Sequence, residues 1–299
     1  MKDHLKAHLA LATVAFLYGA NYIIAKITLG SGLITPQGFI MLRVLTAGTL
    51  LWIVHGLFIK EKLERADIGY VAMLSIFGIA INQLCFFYGL KHTSAMHASL
   101  IMITVPVLVL TGSALLLGNK VNRWQICGIA LGLIGAAILV YSASDATETA
   151  TVLGDVFILI NAISYALYLL LAKKVLMKYH PFTILKWLFA FGAVFIIPFG
   201  MPDLLAADFG SFEAKHWWSV AFVLLGATFL AYLFNAYALS KVKSSTVSFY
   251  LYFQPLIASG IAIAIGADTL SASKLQAAVL LFAGVYMVTK KGGSTAEKA

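Results

Sequence analysis

The feature that most limits the fold of this chain is a succession of apolar runs, each about as long as a bilayer is thick. A hydrocarbon core of ~30 Å needs about 20 mostly apolar residues per helical crossing. Cut at its turn residues, the sequence falls into ten such runs, at 7–28, 37–59, 69–91, 95–117, 124–142, 154–176, 181–200, 217–239, 244–266 and 274–289. The cuts lie at Gly30-Ser31-Gly32 with Pro36, Gly118-Asn119, the polar stretch 142–151, Pro181, Pro198 with Pro202, and Gly266-Ala267-Asp268. With no water to bond backbone groups in hydrocarbon, only helices or closed barrels span it. Barrel strands alternate apolar and polar residues, whereas 126–141 is apolar on every side. The chain is therefore expected to be an all-α integral membrane protein with ten transmembrane helices.

Charge orients the runs. Only 11% of the 299 residues are charged, and the formal net charge is +9. The basic residues punctuate the spans instead of forming a patch with aromatic residues, so no nucleic-acid partner is expected. With the N-terminus inside, fifteen of the 21 Lys and Arg fall on inner segments. Lys26, Lys91, Lys215 and Lys274 fall at outer ends, and Arg43 and Lys186 lie within spans. This asymmetry predicts a multi-pass protein of a bacterial-type inner (plasma) membrane with both termini cytoplasmic. The basic start runs on without a cleavage site and is expected to be a retained first span. The outer loop 201–216 carries Asp203, Asp208 and Glu213 and leads into Trp217-Trp218, an expected outer-interface marker. Cys85 and Cys127 both sit in apolar runs, and no disulfide framework is implied.

The runs also repeat. LYGANYIIAK at 17–26 is answered by SYALYLLLAK at 164–173, an offset of 147 that pairs Tyr18 with Tyr165 and Lys26 with Lys173. Further on the offset is 149, pairing Tyr88 with Tyr237, Ser99 with Ser248, Pro106 with Pro255 and Gly135 with Gly284. Two repeats are expected, at 5–142 and 153–291, with five spans each. An odd number of spans reverses the second copy across the membrane, and such inverted repeats are associated with secondary transporters. A duplicated bundle without a pathway is the alternative.

At these residues the chain resembles the EamA family of the drug/metabolite transporter (DMT) superfamily, in two copies. Tyr18-Gly19-Ala20-Asn21-Tyr22 is similar to the family's opening-helix pattern, and Leu42-Arg43-Val44-Leu45 to its second-helix Arg motif. Phe87-Tyr88-Gly89-Leu90 through Pro106, and Phe234-Asn235-Ala236-Tyr237 through Pro255, resemble its third-to-fourth helix signature. The resemblance implies the EamA/DMT fold, a basket in which helices 1, 3, 4, 6, 8 and 9 line a cavity and 5 and 10 stand outside. It also implies export of amino acids or other metabolites, as by the YddG-type exporters of aromatic amino acids. The Glu usual after helices four and nine is replaced by Asn119 and Asp268.

Polar side chains inside hydrocarbon need a partner or water, so their positions mark the interior of the bundle. The expected substrate-binding residues are Tyr18, Asn21 and Tyr22 in span 1, with Gln83, Phe86 and Phe87 on one stripe of span 3. His97 and Ser99 come from span 4, and Asn161, Tyr165 and Tyr168 from span 6. Tyr232 and Asn235 come from span 8, Ser248 and Tyr252 from span 9. For any one tyrosine, a hydrogen bond between helices is the alternative role. Spans 5 and 10 are nearly bare of polar groups, and Gly128 with Gly132 has the spacing for close helix packing or a protomer contact, in a monomer or homodimer.

All 12 acidic residues fall in loops or at span ends, so the carboxylate commonly used for proton or sodium coupling is missing. His97 is either a proton carrier or an interface histidine. No metal site and no cofactor are expected, since His92 and His97 are spaced too far round a helix to share an ion. Snorkelling is the favoured reading for Lys186; Arg43 either grips a substrate anion or satisfies helix-end carbonyls. Cations without buried acids suit a zwitterionic or anionic small molecule, with membrane lipids as the surrounding partner. The expectation is a secondary transporter, not an enzyme, that exports amino acids or related metabolites by alternating access. The rivals are a sugar-phosphate or nucleotide-sugar exchanger, which needs more cations facing the cavity, and a membrane-embedded lipid-modifying enzyme. The latter needs a converging catalytic set, which is not seen. A channel is a further alternative.

Overall fold

The computed structural model describes residues 2–93, 98, 101–142, 151–264 and 271–290. Helix α1 (Lys2–Leu29) leads into α2 (Pro36–Phe58) and then α3 (Arg65–Ser75), which runs through a π-helical segment, Ile76–Ala80, into α4 (Ile81–His92). Next come α5 (Val105–Leu117), α6 (Arg123–Ser142), α7 (Val152–Lys178) and α8 (Pro181–Leu205). Helix α9 (Ala214–Ala221) passes through a second π-helical segment, Phe222–Leu230, into α10 (Ala231–Lys241). Helix α11 (Ser244–Phe249), a 3-10 turn at Tyr250–Tyr252, α12 (Phe253–Ala264) and α13 (Ala272–Lys290) complete the chain.

Among the described residues, six helical stretches are long and apolar enough to cross a membrane: Asp3–Leu29, Pro36–Phe58, Arg65–Gly89, Val152–Lys178, Pro181–Leu205 and Ala214–Lys241. Val105–Leu117, Arg123–Ile138 and Ala272–Val288 are shorter apolar helices. The expected fourth and ninth spans are interrupted, at the turn 103–104 and at Tyr250–Tyr252, each just ahead of a proline, Pro106 or Pro255. Proline offers no N–H and clashes with the carbonyl four residues back, so the regular helix starts again around the ring. Each of these prolines thus follows a break in its helix. Pro198 and Pro202 do not end their helix, which continues to Leu205.

The capping chemistry repeats as the sequence does. Thr35 accepts a hydrogen bond from Gly38 N ahead of Pro36, and His180 accepts one from Phe182 N ahead of Pro181. Packing repeats as well. Helix α1 lies against α10 and α12, while α7 lies against α4 and α5, so exchanging the halves exchanges these contacts. Helices α2 and α8 pair with each other, as do α6 and α13.

The α6–α13 crossing fixes its direction. A Cβ on Gly128 would lie 2.8 Å from Gly284 O, and one on Gly135 would lie 2.9 Å from Ala277 O. As one chain ascends from 128 to 135 the other descends from 284 to 277, so the two helices are antiparallel. Gly128 and Ala277 are also equivalent at the offset of 149, as are Gly135 and Gly284. Close backbone approach explains the bare polar content of this pair. Gly132 has another use: the Tyr252 ring occupies the space its Cβ would need, at 2.4 Å. Trp217 and Trp218 are exposed at the start of α9, as an interface marker requires.

Candidate functional site

Four tyrosines and one arginine converge where α1, α2, α7 and α10 meet. Tyr18 stands within electrostatic reach of Tyr165, Tyr232, Arg43 and Tyr168. Tyr165 and Tyr168 stack at 6.3 Å between ring centroids. Polar links tie the cluster across the halves: Gln83 Nε2 donates to Tyr232 Oη at 2.8 Å, and Asn235 Nδ2 to Tyr165 Oη at 2.8 Å. Arg43 is buried; its Nε donates to Thr228 Oγ1 at 2.9 Å and its guanidinium lies 5.8 Å from the Phe87 ring centre. Phe86 packs edge-on against Phe87.

The two π-helical segments sit beside this cluster and position part of it. A π turn shifts the hydrogen-bond ladder by one residue and leaves carbonyls free for side chains. Ser164 Oγ donates to Phe77 O at 2.8 Å in the first segment, and Asn161 Nδ2 donates to Asn82 O at 2.6 Å in α4 just past it. In the second, Thr228 Oγ1 donates to Val223 O at 2.7 Å while accepting from Arg43. The segments carry Gly78 and Gly226, 148 residues apart, a further instance of the repeat. A Cβ on Gly78 would meet the Tyr168 ring at 2.6 Å, so this glycine lets Tyr168 approach.

Several of the residues expected at the site do meet. Tyr18, Gln83, Phe87, Tyr165, Tyr168, Tyr232 and Asn235 belong to the cluster, Phe86 packs on its neighbour Phe87, and Asn161 bonds α4 just past the first π segment. Asn21, one turn beyond Tyr18 on α1, has a buried Oδ1 with no hydrogen-bond partner among the described residues; the same holds for Oδ1 of Asn161 and of Asn235. Two residues lie elsewhere. Tyr252 is fully buried against α6, with Phe249, Ile129 and Leu281, and its hydroxyl reaches Ile129 O. Ser248 is fully buried and donates back to Ser245 O within its own helix. The helix break at Tyr250–Tyr252 redirects the stripe that regular periodicity assigns to this segment, which accounts for Tyr252. His97, Ser99 and Asp268, and the side chain of Tyr22, lie outside the described residues.

Sequence reasoning missed Thr228 and the π segments. The available signal was a glycine at equivalent places in spans 3 and 8, with a hydroxyl residue two positions after Gly226. The Tyr250 hydroxyl bonds His8 Nδ1 at 3.0 Å near the N-terminal end of α1. Between that pair and the cluster lies a cavity of about 10 Å³ bordered by Leu11, Tyr165, Asn235, Val247 and Tyr250. That is room for about one water. In this conformation the walls are closed together, and a metabolite enters only if the helices part. A wider hollow of about 360 Å³ opens at the C-terminal ends of α7 and α10 and the start of α8, bordered by Tyr179, His180, Tyr237 and Lys241.

Lys186 does not snorkel. It is 8% exposed, with Nζ 3.0 Å from His55 Nδ1 and 4.6 Å from the Trp52 ring centre. The lysine donates to the Nδ1 lone pair, so the neutral imidazole carries its proton on Nε2 and donates to Thr183 Oγ1 at 3.1 Å. Two indoles and one imidazole replace the water that snorkelling would have kept.

The pattern characteristic of the EamA-like transporter family matches residues 5–141 and again residues 152–290. The chain belongs to that family. It is a multi-pass membrane transport protein and not an enzyme. Relatives resemble it over most of their length: an uncharacterized transporter of Archaeoglobus fulgidus is 26% identical, covering 96% of this chain and 98% of its own. YyaM, an uncharacterized transporter of Bacillus subtilis, is 25% identical over 94% of this chain and 93% of its own. A probable terminal-alkyne amino-acid exporter of Streptantibioticus cattleyicolor is 22% identical over 85% and 84%. A solved crystal structure superposes with a TM-score of 0.76 at 16% identity, covering 97% of this chain and 99% of that one. That likeness is one of fold.

Proposed function

We propose that this EamA-like protein is a secondary transporter that exports amino acids or related small metabolites across the inner membrane by alternating access. The observation that carries the reading is the meeting of Tyr18, Gln83 and Arg43 from the first half with Tyr165, Tyr232 and Asn235 from the second. A site assembled from both halves is one that their relative movement opens and closes. The likeness to a probable amino-acid exporter favours this substrate class over others.

Ten spans in two inverted repeats, 5–142 and 153–291, are part of the proposal. The antiparallel α6–α13 register supports it, since equivalent glycine and alanine positions exchange across the crossing. The charge asymmetry supports cytoplasmic termini. The substrate-binding set is the cluster with Asn21 and Asn161; Tyr22, His97 and Ser99 stay in it on their sequence positions alone. The helix breaks ahead of Pro106 and Pro255 are the proposed hinges. A sugar-phosphate exchanger is the less favoured reading, because Arg43 is the one cation at the cluster among the described residues.

The test is counterflow in proteoliposomes loaded with each of the twenty amino acids in turn. Saturable exchange of at least one labelled amino acid is expected, and Pro106→Ala or Pro255→Ala should slow it more than either lowers the melting temperature. Exchange of phosphorylated sugars with none of amino acids would reject the reading.

A further inference from the structure

Arg43 is buried, 7% exposed, on the second turn of α2. Its Nε is committed to Thr228, but its two terminal nitrogens have no hydrogen-bond partner among the described residues. Its electrostatic neighbours are the phenols of Tyr232 and Tyr18, and it faces the ring of Phe87. No carboxylate belongs to this group. A guanidinium withdrawn from water and left without a counter-charge is costly, and one hydroxyl with one ring face offsets that only in part. Lys186, by contrast, has its hydrogen bond and two indole faces supplied by the protein.

A second, independent observation concerns acceptors. Buried Oδ1 atoms of Asn21, Asn161 and Asn235 have no partner among the described residues. For Asn161 the orientation is fixed by chemistry, since its Nδ2 donates to a carbonyl and the free atom must be the oxygen. Asn21 follows Tyr18 by one turn, and Asn235 bonds Tyr165 beside Tyr18. The walls therefore hold one unsatisfied fork of N–H donors and several neutral acceptors lacking donors.

We propose that Arg43 anchors the carboxylate of the transported solute through its two terminal nitrogens, while the amide oxygen of Asn21 or Asn235 accepts from the solute's ammonium group. The inference rests on the transport reading above and narrows it. The ligand is a monocarboxylate carrying a donor close to the carboxyl, as an α-amino acid does. The planar fork matches a carboxylate in a way that a lysine ammonium does not. A dianionic phosphate would leave a charge uncompensated beside a single cation.

The test compares acid with ester on the full-length protein. Purified wild type, Arg43→Lys and Arg43→Gln are melted with each of the twenty L-amino acids, and every one that shifts the wild type is repeated as its methyl ester and as its decarboxylated amine. The acid is expected to raise the melting temperature while ester and amine do not. Arg43→Lys should weaken apparent affinity roughly tenfold or more, the worth of a charge-assisted pair, and Arg43→Gln should lose the response. An ester that binds as tightly as its acid, or an unchanged response in Arg43→Gln, overturns the anchor and leaves the transport reading intact. Should Arg43→Gln not fold, the acid-to-ester ratio on the wild type still decides. Neither shift nor counterflow with any amino acid overturns both readings together.

Discussion

Helices α2 and α8 each bury one cation, and the two are handled in opposite ways. Lys186 on α8 is enclosed by His55, Trp52 and Trp187, all on this helix pair. Arg43 on α2 receives one hydroxyl, from Thr228, and otherwise faces phenols and a phenyl ring. Both break the rule that charge stays out of hydrocarbon. In one case the protein completes the coordination with its own side chains; in the other it stops short. A completed shell signals a fixed part of the scaffold, and an incomplete one signals a place kept for something that comes and goes.

The sharpest way to break this contrast is to remove each cation and watch the protein without ligand. Lys186→Met leaves His55 Nδ1 without a donor and removes two cation–π contacts, so a loss of about 2–4 kcal/mol is expected. Arg43→Gln should change unliganded stability far less, because little coordination is lost and a buried charge is removed. Thermal and denaturant melting of both variants checks this. If Arg43→Gln is the more damaging, the guanidinium is scaffold and the contrast is wrong.

The same division separates the buried amides, with smaller expected effects. Asn161→Ala deprives Asn82 O of its donor beside the first π segment, and a loss of about 1–3 kcal/mol follows. Asn21→Ala removes an oxygen that no protein group uses, so unliganded melting should hardly move while the amino-acid-induced shift declines. Equal losses from both substitutions would place Asn21 in the scaffold too.

Much of this arrangement was legible in the sequence, and what was not has a physical reason. Apolar run length exposed the helices because the bilayer imposes it, and polar residues marked the interior because lipid does not tolerate them unpaired. Regular helical periodicity brought Tyr18, Gln83, Tyr165, Tyr232 and Asn235 to one place. It failed where the ladder is irregular. The 3-10 turn at Tyr250–Tyr252 sends Tyr252 into the α6 contact, and the π segments make Thr228 the partner of Arg43. The fate of a cation was also illegible: one-dimensional spacing does not reveal that Trp52 and His55 of α2 meet Lys186 of α8.

The smallest expected effect concerns a polar contact that the contrast assigns to neither class. At the C-terminal end of α7, Lys178 pairs with Glu64 at 2.7 Å and Asp67 at 2.8 Å, and the Tyr179 hydroxyl donates to Asp67 at 2.6 Å. The counterpart on the other side uses neutral donors: Thr35 Oγ1 gives to Asp203 at 2.7 Å, and Asp208 N gives to Leu33 O at 3.0 Å. Lys178 and Glu64 are largely exposed, so water and salt already screen the ion pair. Lys178→Met should therefore shift melting only slightly, and the shift should fade further in ~1 M salt, where the screening length is about 3 Å. The seam nonetheless joins the segment before α3 to the end of α7, and hence the two halves. If parting this seam is a step of transport, Lys178→Met should raise the counterflow rate most at low ionic strength, while Thr35→Val, on the neutral seam, should show no dependence on salt. A salt-independent Lys178→Met would mean that this ion pair stays closed throughout the cycle.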